Sequence, residues 1–194
     1  MSTMIYLASA SPRRRELLDQ IGVSYTLVRV DVDERVLTDE APEAYVRRLA
    51  EAKAVAGLRL VAGQGLVLAA DTAVVIDDHI LGKPLDRAAG LAMLAALSGR
   101  CHQVLTAVAL ADRRQVRLAL SRTEVCFRPL SADECLAYWM SGESADKAGG
   151  YAIQGRAAMY ISRINGSYSG VVGLPLYETA CLLQAAGVEL EPEA

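Results

Sequence analysis

The chain has 194 residues, 53% of them hydrophobic, which is enough to bury one substantial core or two lobes around a cleft. Its 20 basic and 23 acidic side chains leave a net charge of −3, which excludes a general surface for polymeric nucleic acid and a polybasic membrane patch. Any site for an anion must therefore be local. The N-terminus lacks the zones of a secretion signal, and no apolar run could span a bilayer, so we expect a cytoplasmic protein.

Strands and helices alternate through the first half of the chain, which indicates an α/β fold. In chain order we predict strand 4–8, a helix from Pro12 that ends at Gly22, strand 25–30, helix 42–56, apolar runs 66–70 and 73–76, a turn at 77–78 and helix 86–97. Asp71 and Thr72 separate the two apolar runs. Asp71 therefore ends a strand that is otherwise apolar, and a carboxylate there needs a partner.

The second half begins with two long strands, 104–111 and 116–125, on either side of a polar turn at 112–114. Ser131 and Glu134 form a capping box for a helix to Met140. Asn165-Gly166 is a hairpin signal, so we predict strands 157–164 and 168–172 around it. The last helix covers 175–186, and an acidic tail, 188–194, is expected to be loose. Without repeats or linkers, residues 1–194 form one domain, with lobes at about 1–100 and 101–187.

The start of the first helix has the layout of an anion site. Ser11 can cap the helix, and Pro12 suits its first position, so the free amides of the first turn point at whatever lies before them. Arg13 and Arg14 add positive charge there. The alternative interpretation is a solvated basic turn, in which the arginines oppose the helix dipole.

Other charged residues interrupt the apolar pattern and could share a site. Three cations and two or three carboxylates suit a phosphorylated substrate with a divalent metal. Each of these residues also has a purely structural interpretation. Asp71 could pair with Lys83 or cap a turn, and Glu34 could be an ordinary surface charge. Lys53 could extend its side chain to solvent along the apolar face of its helix, which is formed by Tyr45, Leu49, Ala52 and Ala56. The candidates are Arg13, Glu34, Lys53, Asp71, Lys83 and the segment Asp146-Lys147 ahead of Gln154.

The four cysteines, Cys101, Cys126, Cys135 and Cys181, stand far apart and form no C-x-x-C pair. We therefore predict neither a zinc site nor a disulfide framework, and expect four buried, small hydrophobic side chains. The absence of the P-loop, dinucleotide-binding, zincin and serine-hydrolase motifs argues against those enzyme classes.

Six segments in chain order resemble the Maf family of nucleoside triphosphate pyrophosphatases. They are LASASPRR at 7–14, AADT at 69–72, GKP at 82–84, DKAGGYAIQG at 146–155, NGSY at 165–168 and VVGLPL at 171–176. The resemblance implies a two-lobed mixed sheet with flanking helices, related to the inosine triphosphate pyrophosphatases, with the nucleotide in a cleft between the lobes. It also implies a homodimer.

The family reaction splits a nucleoside triphosphate into the monophosphate and pyrophosphate with a divalent cation, Mg²⁺, Mn²⁺ or Co²⁺. The resemblance makes Asp71 the catalytic carboxylate, acting as general base or orienting the water through the metal, and makes Asp71 and Glu34 metal ligands. The SPRR and IQG forms resemble the branch that acts on dTTP and UTP, with modified pyrimidine triphosphates as further candidate substrates. The alternatives are 7-methyl-GTP as substrate, or a nucleotide-binding regulator of cell division. The remaining implied roles are substrate binding by Ser9, Arg13, Glu34, Lys53 and Lys83, and specificity from Arg13, Thr72 and Gln154.

Overall fold

The computed structural model describes residues 3–62 and 65–190. At its centre is one mixed sheet of seven strands. The strands are β1 (Ile5–Leu7), β2 (Thr26–Leu27), β3 (Leu66–Ile76), β4 (His79–Leu81), β5 (Cys101–Ala111), β6 (Val116–Phe127) and β7 (Ile161–Asn165). The helices are α1 (Pro12–Gln20), α2 (Pro42–Leu60), α3 (Arg87–Leu97), α4 (Ala132–Met140), α5 (Tyr168–Val172) and α6 (Leu176–Ala185). The predicted α/β class is confirmed.

The strand order is β2-β1-β3-β5-β6-β7, with β4 paired to β3. β1 is parallel to both of its neighbours, whereas β3, β5, β6 and β7 are successively antiparallel. Strands from both halves of the chain therefore share one sheet. The division into two lobes near residue 100 stays a prediction. In the described part of the chain, no helix has both the length and the apolar character needed to cross a membrane.

Each face of the sheet carries its own core, because successive side chains on a strand point to opposite faces. The even-numbered residues of β3, such as Ala70 and Val74, join a cluster with α1, α3, α4, α5 and α6. The odd-numbered ones, such as Ala69 and Ala73, pack with α2. Asp71 and Thr72 therefore lie on opposite faces of the same strand.

One edge of β3 is open in its middle. Its other edge pairs continuously with β5, from Val67 to Val75. On the open side, β1 pairs only with residues 66–68 and β4 only with residues 74–76. β4 returns along β3 through the predicted turn at Asp77 and Asp78, and the φ angles of both residues are positive. Within the described parts of the chain, residues 69–73 thus have no strand partner on this side.

This arrangement corrects the prediction that Asp71 ends a strand. β3 continues through Asp71 and Thr72, which lie opposite Ala107 and Thr106 of β5. The polar pair marks the place where the strand changes partners on its open edge. The sequence showed the interruption, but the continuous pairing with β5 depends on residues far along the chain.

The predicted hairpin at Asn165-Gly166 is wrong. β7 leads into Gly166, and the chain then enters α5, whose first turn is capped by Ser167 Oγ accepting from the N–H of Gly170. Gly166 has φ +133°, and a Cβ there would lie 2.7 Å from Thr123 Oγ1, so the junction needs glycine. The segment predicted as strand 157–164 is a 3₁₀ turn, Arg156–Tyr160, followed by β7.

The cysteine prediction is also wrong in part. Cys101 and Cys126 form a disulfide between β5 and β6, where they are register partners. Counted along the sequence, the two cysteines are equally far from the middle of the β5–β6 turn, so a regular hairpin places them opposite each other. This equal spacing is the sequence signal that could have predicted the disulfide. Cys135 is buried as expected, but Cys181 is exposed.

Several boundaries differ from the prediction. The strand predicted at 25–30 is reduced to Thr26–Leu27, and α2 extends to Leu60. At the C-terminus, Val188 and Leu190 pack against the core, while residues 191–194 of the predicted loose tail lie outside the described residues.

The face of α2 that is buried differs from the predicted apolar face by a rotation of about one residue around the helix axis. It consists of Val46, Leu49, Ala50, Ala54 and Gly57. Gly57 allows α2 to approach the sheet, because a Cβ there would lie 2.8 Å from Val67 Cγ1 and 3.2 Å from Ala8 Cβ. The close approach brings the preceding turn of α2, with Lys53, over β3.

We therefore expect Gly57→Ala to destabilise the protein. Alanine gains about 1 kcal/mol in helix propensity, but overpacking against Val67 costs about 1–3 kcal/mol. The free energy of unfolding, measured in urea, should fall. Glu51→Ala, at an exposed position of the same helix, is the control and should change it little. A Gly57→Ala protein more stable than the wild type would contradict this packing.

Candidate active site

A cleft of about 710 Å³ lies at the open edge of β3. Its wall includes the segment after β1, residues 71–74 of β3, the end of β4 with the loop that follows it, and the segment around Tyr151. Because the edge is open, the cleft reaches side chains on both faces of the sheet. Asp71 and Thr72 both line it.

Lys53 joins two carboxylates on the α2 face. Its Nζ lies 2.6 Å from Asp71 Oδ1 and 2.6 Å from Glu34 Oε1. The Asp71 and Lys53 side chains are largely buried, with 9% and 12% exposed, whereas Glu34 is about half exposed. Of the alternatives left open by the sequence, Lys53 therefore reaches into the cleft, and Asp71 pairs with Lys53 rather than with Lys83.

The two carboxylates differ in acidity. Burial raises the pKa of Asp71 above its ordinary value, although Lys53 and Arg14 act in the opposite direction. For Glu34, burial also acts to raise the pKa, but the hydrogen bond from Lys53 and the charges of Lys53 and Lys83 outweigh it, so the pKa lies below its ordinary value. Asp71 is thus the better proton acceptor, and Glu34 stays ionised.

Tyr45 supports this charged group from α2. Its hydroxyl donates to the carbonyl oxygen of Glu34 over 3.0 Å, which holds the segment that carries the Glu34 carboxylate. Burial, together with the negative charges of Asp71 and Glu34, raises the pKa of Tyr45 to about 12. The phenol therefore stays protonated at neutral pH.

Arg14 is a site residue that the sequence prediction passed over in favour of Arg13. Its Nε donates to the Gly173 carbonyl at 2.8 Å, Nη1 to Ser9 Oγ at 3.4 Å and Nη2 to Thr72 Oγ1 at 3.4 Å. Burial lowers its pKa, while the nearby charge of Asp71 acts to raise it. Arg14 thereby links the acidic face of the cleft to Thr72 on the other face.

The first turn of α1 faces the cleft as predicted, but its cap differs. Ser11 occupies the N-cap position without a side-chain hydrogen bond to the helix. Instead, Ser9 Oγ accepts from the Ser11 N–H at 3.1 Å. Ser9, Ser11 and Arg13 line the cleft beside Pro12.

The opposite rim carries the remaining cations. Lys83 lies in the loop after β4, and Lys147 pairs with Asp146; all three residues line the cleft. The Gly149 N–H donates to the Gly82 carbonyl at 3.0 Å, which joins these two segments. Gly149 has φ +70°, and a Cβ there would lie 2.8 Å from Val74 Cγ1.

Beyond the contact between Arg14 and Thr72, the face that carries Thr72 presents several apolar side chains to the cleft. Its lining includes Val74, Val104, Tyr151, Ile153 and Val172. Such a surface suits a flat, partly apolar ring better than a phosphate. The cleft therefore has a charged part and an apolar part, on opposite sides of the β3 edge.

Gln154 is placed differently from the other predicted specificity residues. It is exposed in a turn, and its neighbour Ile153, rather than Gln154 itself, is among the described residues that line the cleft. Arg13 and Thr72 do line it. The structure thus brings together all the predicted site residues except Gln154.

Comparison with known proteins identifies the family. A family model described as Maf-like protein matches residues 4–186. The chain belongs to the Maf-like family. The resemblance seen in the sequence is confirmed.

Two Maf-like relatives are named dTTP/UTP pyrophosphatase. The protein of Saccharophagus degradans is 52% identical over 187 residues, which cover 95% of this chain and 89% of the relative. The protein of Pseudoalteromonas translucida is 52% identical over 184 residues, which cover 95% of this chain and 97% of the relative.

Solved structures show the same fold at low identity. A HAM1 protein from Coxiella burnetii matches with a TM-score of 0.53 and 16% identity, covering 94% of this chain and 99% of that one. Protein VC0702 from Vibrio cholerae matches with a TM-score of 0.50 and 11% identity, covering 97% and 100%.

One other group of metal-ligand atoms lies at the β5–β6 disulfide. Cys101, Glu124 and Cys126 place their ligand atoms close together. The two sulfurs are bonded to each other, so neither is the thiolate that binds metal, and Arg163 donates to Glu124 at 2.8 Å. We therefore assign no metal to this group.

Removing the Lys53 charge should raise the pKa of Asp71 further, since Lys53 lowers it now. We expect the ¹³C-detected carboxyl titration of Asp71 to move to higher pH in Lys53→Met. Lys83→Met is the matched control. The Lys83 charge acts on Glu34, so its removal should raise the pKa of Glu34 and change the pKa of Asp71 less than Lys53→Met does. An Asp71 titration that stays in place or moves to lower pH in Lys53→Met would contradict the pairing.

Proposed function

We propose that this protein hydrolyses dTTP and UTP to the nucleoside monophosphate and pyrophosphate. The observation that carries the proposal is Asp71, a buried carboxylate held by Lys53 at an open strand edge, with a basic rim on one side and an apolar wall on the other. The relatives at 52% identity named dTTP/UTP pyrophosphatase support the same reaction and base preference.

Asp71 is assigned as the general base of this reaction. Its raised pKa makes it a better proton acceptor than an exposed aspartate, and its position at the cleft suits a water bound beside the α phosphorus. The water oxygen forms a bond to that phosphorus, and the bond to the bridging oxygen of the β phosphate breaks. One water proton passes to Asp71, and pyrophosphate leaves with the electron pair.

The cations of the cleft bind the triphosphate and stabilise the charge that grows on pyrophosphate. Lys53 lies beside Asp71, Arg13 lies at the start of α1, and Lys83 lies on the opposite rim. Ser9 and the first amides of α1 add hydrogen-bond donors that suit phosphate oxygens. Arg14, already bound to Gly173, holds Ser9 and Thr72 in place.

Asp71 and Glu34 fit a divalent cation, Mg²⁺, Mn²⁺ or Co²⁺. Both present hard carboxylate oxygens to one point, because both contact the same Lys53 nitrogen, and Glu34 stays ionised. A cation bound by these two residues would neutralise phosphate oxygens and polarise the phosphorus towards attack. Lys53 would then be available to the phosphates.

The apolar part of the cleft is assigned to the base. Thr72 supplies a hydroxyl there among Val74, Val104 and Tyr151. We keep Arg13, Thr72 and Gln154 as the specificity residues; Arg13 and Thr72 line the cleft, and Gln154 follows Ile153, which lines it. We also keep the cytoplasmic location and the homodimer as proposals; sedimentation would test the dimer.

The direct test is a nucleotide panel with product identification. The chelator-treated protein should regain activity with Mg²⁺, Mn²⁺ or Co²⁺ and release pyrophosphate from dTTP and UTP faster than from CTP, 7-methyl-GTP or purine triphosphates. Asp71→Asn should lower kcat by at least about 100-fold, because it removes the base. Asp133→Asn, at an exposed position of α4, is the control and should keep wild-type activity.

Water labelled with ¹⁸O locates the attack. Label in the monophosphate and none in pyrophosphate is the expected result. Near-normal turnover by a folded Asp71→Asn protein, or label in pyrophosphate, would overturn the mechanism. Preference for 7-methyl-GTP, or nucleotide binding without product, would favour the alternative functions.

A further inference from the structure

The disulfide between Cys101 and Cys126 closes the end of the β5–β6 pair that lies farthest from its turn. Cys101 is exposed at the start of β5, whereas Cys126 is only 6% exposed. Disulfides are rare in the reducing cytoplasm, and those that occur there are usually transient or redox-sensing. In the compartment proposed above, a thiol in solution can therefore attack this bond at Cys101.

Arg163 lies beside both sulfur atoms. It is the register partner of Cys126 on β7, and its Nη2 lies 3.4 Å from Cys126 Sγ and 3.9 Å from Cys101 Sγ. Glu124 Oε1 accepts from the same nitrogen and lies 3.9 Å from Cys126 Sγ. The guanidinium stabilises a thiolate that is released on Cys126, and Glu124 can accept a hydrogen bond from a Cys126 thiol. The opened cysteine pair therefore has polar partners already in place.

The residues that follow the two cysteines support the wall of the cleft. His102 follows Cys101, Phe127 follows Cys126, and both rings pack against Tyr151, with centroids 5.4 Å and 5.0 Å from the Tyr151 centroid. His102 Nε2 lies 2.8 Å from the Tyr151 hydroxyl oxygen. Tyr151 itself lines the cleft. Each cysteine is thus one residue away from a ring that holds Tyr151.

His102 has few other contacts that could hold it in place. It is 3% exposed, and its Nδ1 has no hydrogen-bond partner in the described part of the chain. Burial lowers its pKa to about 4, so the imidazole is neutral at physiological pH. The ring therefore depends on the backbone of β5 and on the Tyr151 hydroxyl for its position.

We propose that Cys101 and Cys126 are a reversible thiol–disulfide modification site, and that opening the bond with a low-molecular-weight thiol weakens nucleotide binding through Tyr151. Unbonded sulfur atoms need more room than bonded ones, so the start of β5 and the end of β6 move apart on reduction. His102 and Phe127 move with them, and the packed rings pass the change to Tyr151. This inference rests on the proposed function, since it concerns the same cleft.

The exchange consumes two thiols of the reductant, such as glutathione. The first, as a thiolate, attacks Cys101 Sγ and forms a mixed disulfide, while the bond between the cysteines breaks and leaves its electron pair on Cys126. The second attacks the reductant sulfur of the mixed disulfide and releases Cys101. Two electrons and two protons pass to the protein, and the reductant leaves as its disulfide. The reverse reaction closes the bond.

Glutathione buffers that range from reduced to oxidised test the site in the folded wild type. The bond should open and close across the series, with the same curve from either starting form. Alkylation after denaturation should count two thiols in the oxidised protein, on Cys135 and Cys181, and four in the reduced protein. A bond that stays closed in every buffer would overturn the proposal.

Kinetics in the same buffers test the link to the cleft. The KM for UTP should be at least about threefold higher in the reduced protein than in the oxidised one. The kcat should change less, because Asp71 and Lys53 lie on the other face of the sheet. Equal KM values in the two forms would contradict the link.

Cysteine variants identify the thiols that respond. The double variant Cys101→Ser, Cys126→Ser should have the KM of the reduced wild type in every buffer. Cys181→Ser is the matched control, because it removes an exposed thiol on α6 and should keep the full response. A response that persists in the double variant would overturn the assignment to this pair. If the double variant does not fold, loss of the response in Cys181→Ser would overturn it instead.

The imidazole signals of His102 separate a failure of this inference from a failure of the proposed function. The chain has two histidines, so NMR can follow the His102 ring without nucleotide. Its signals should differ between the disulfide and dithiol forms, and unchanged signals would overturn the link to Tyr151. If neither form hydrolyses UTP, the proposed function fails, while the thiol count and the His102 signals still decide on the modification site.

Discussion

The open edge of β3 is the constraint on which the rest of the site depends. A strand paired on both sides would bury residues 69–73 in the sheet and keep its two faces apart. Here β1 stops at Leu7 and β4 begins its pairing at Val74, so the strand is held by β5 alone at Asp71 and Thr72. One ligand can therefore contact side chains on both faces without a break in the strand.

The two faces divide the chemistry. On the α2 face, Lys53 holds two carboxylates whose acidities differ because one is buried and the other is exposed to several cations. On the other face, hydroxyl groups and apolar side chains form a surface that suits a base. Arg14 connects the two faces, because its partly buried guanidinium donates to Thr72 Oγ1 and feels the charge of Asp71.

Local patterns in the sequence predicted much of the fold, including the Ser131 capping box and the long β5–β6 pair. They failed where a residue's role depends on distant partners. Asn165-Gly166 indicates a reversal but not the helix that follows it. The choice between Arg13 and Arg14 is decided by Gly173, 159 residues away from Arg14. Asp71 was found because a charge in an apolar run is conspicuous.

The central claim is that a nucleotide crosses the β3 edge between β1 and β4. A crystal structure with the non-hydrolysable α,β-methylene-UTP tests it most directly. The account predicts the α phosphorus beside Asp71 on the α2 face and the uracil ring beside Thr72 on the other. A nucleotide bound on one face alone, with its α phosphorus remote from Asp71, would contradict it.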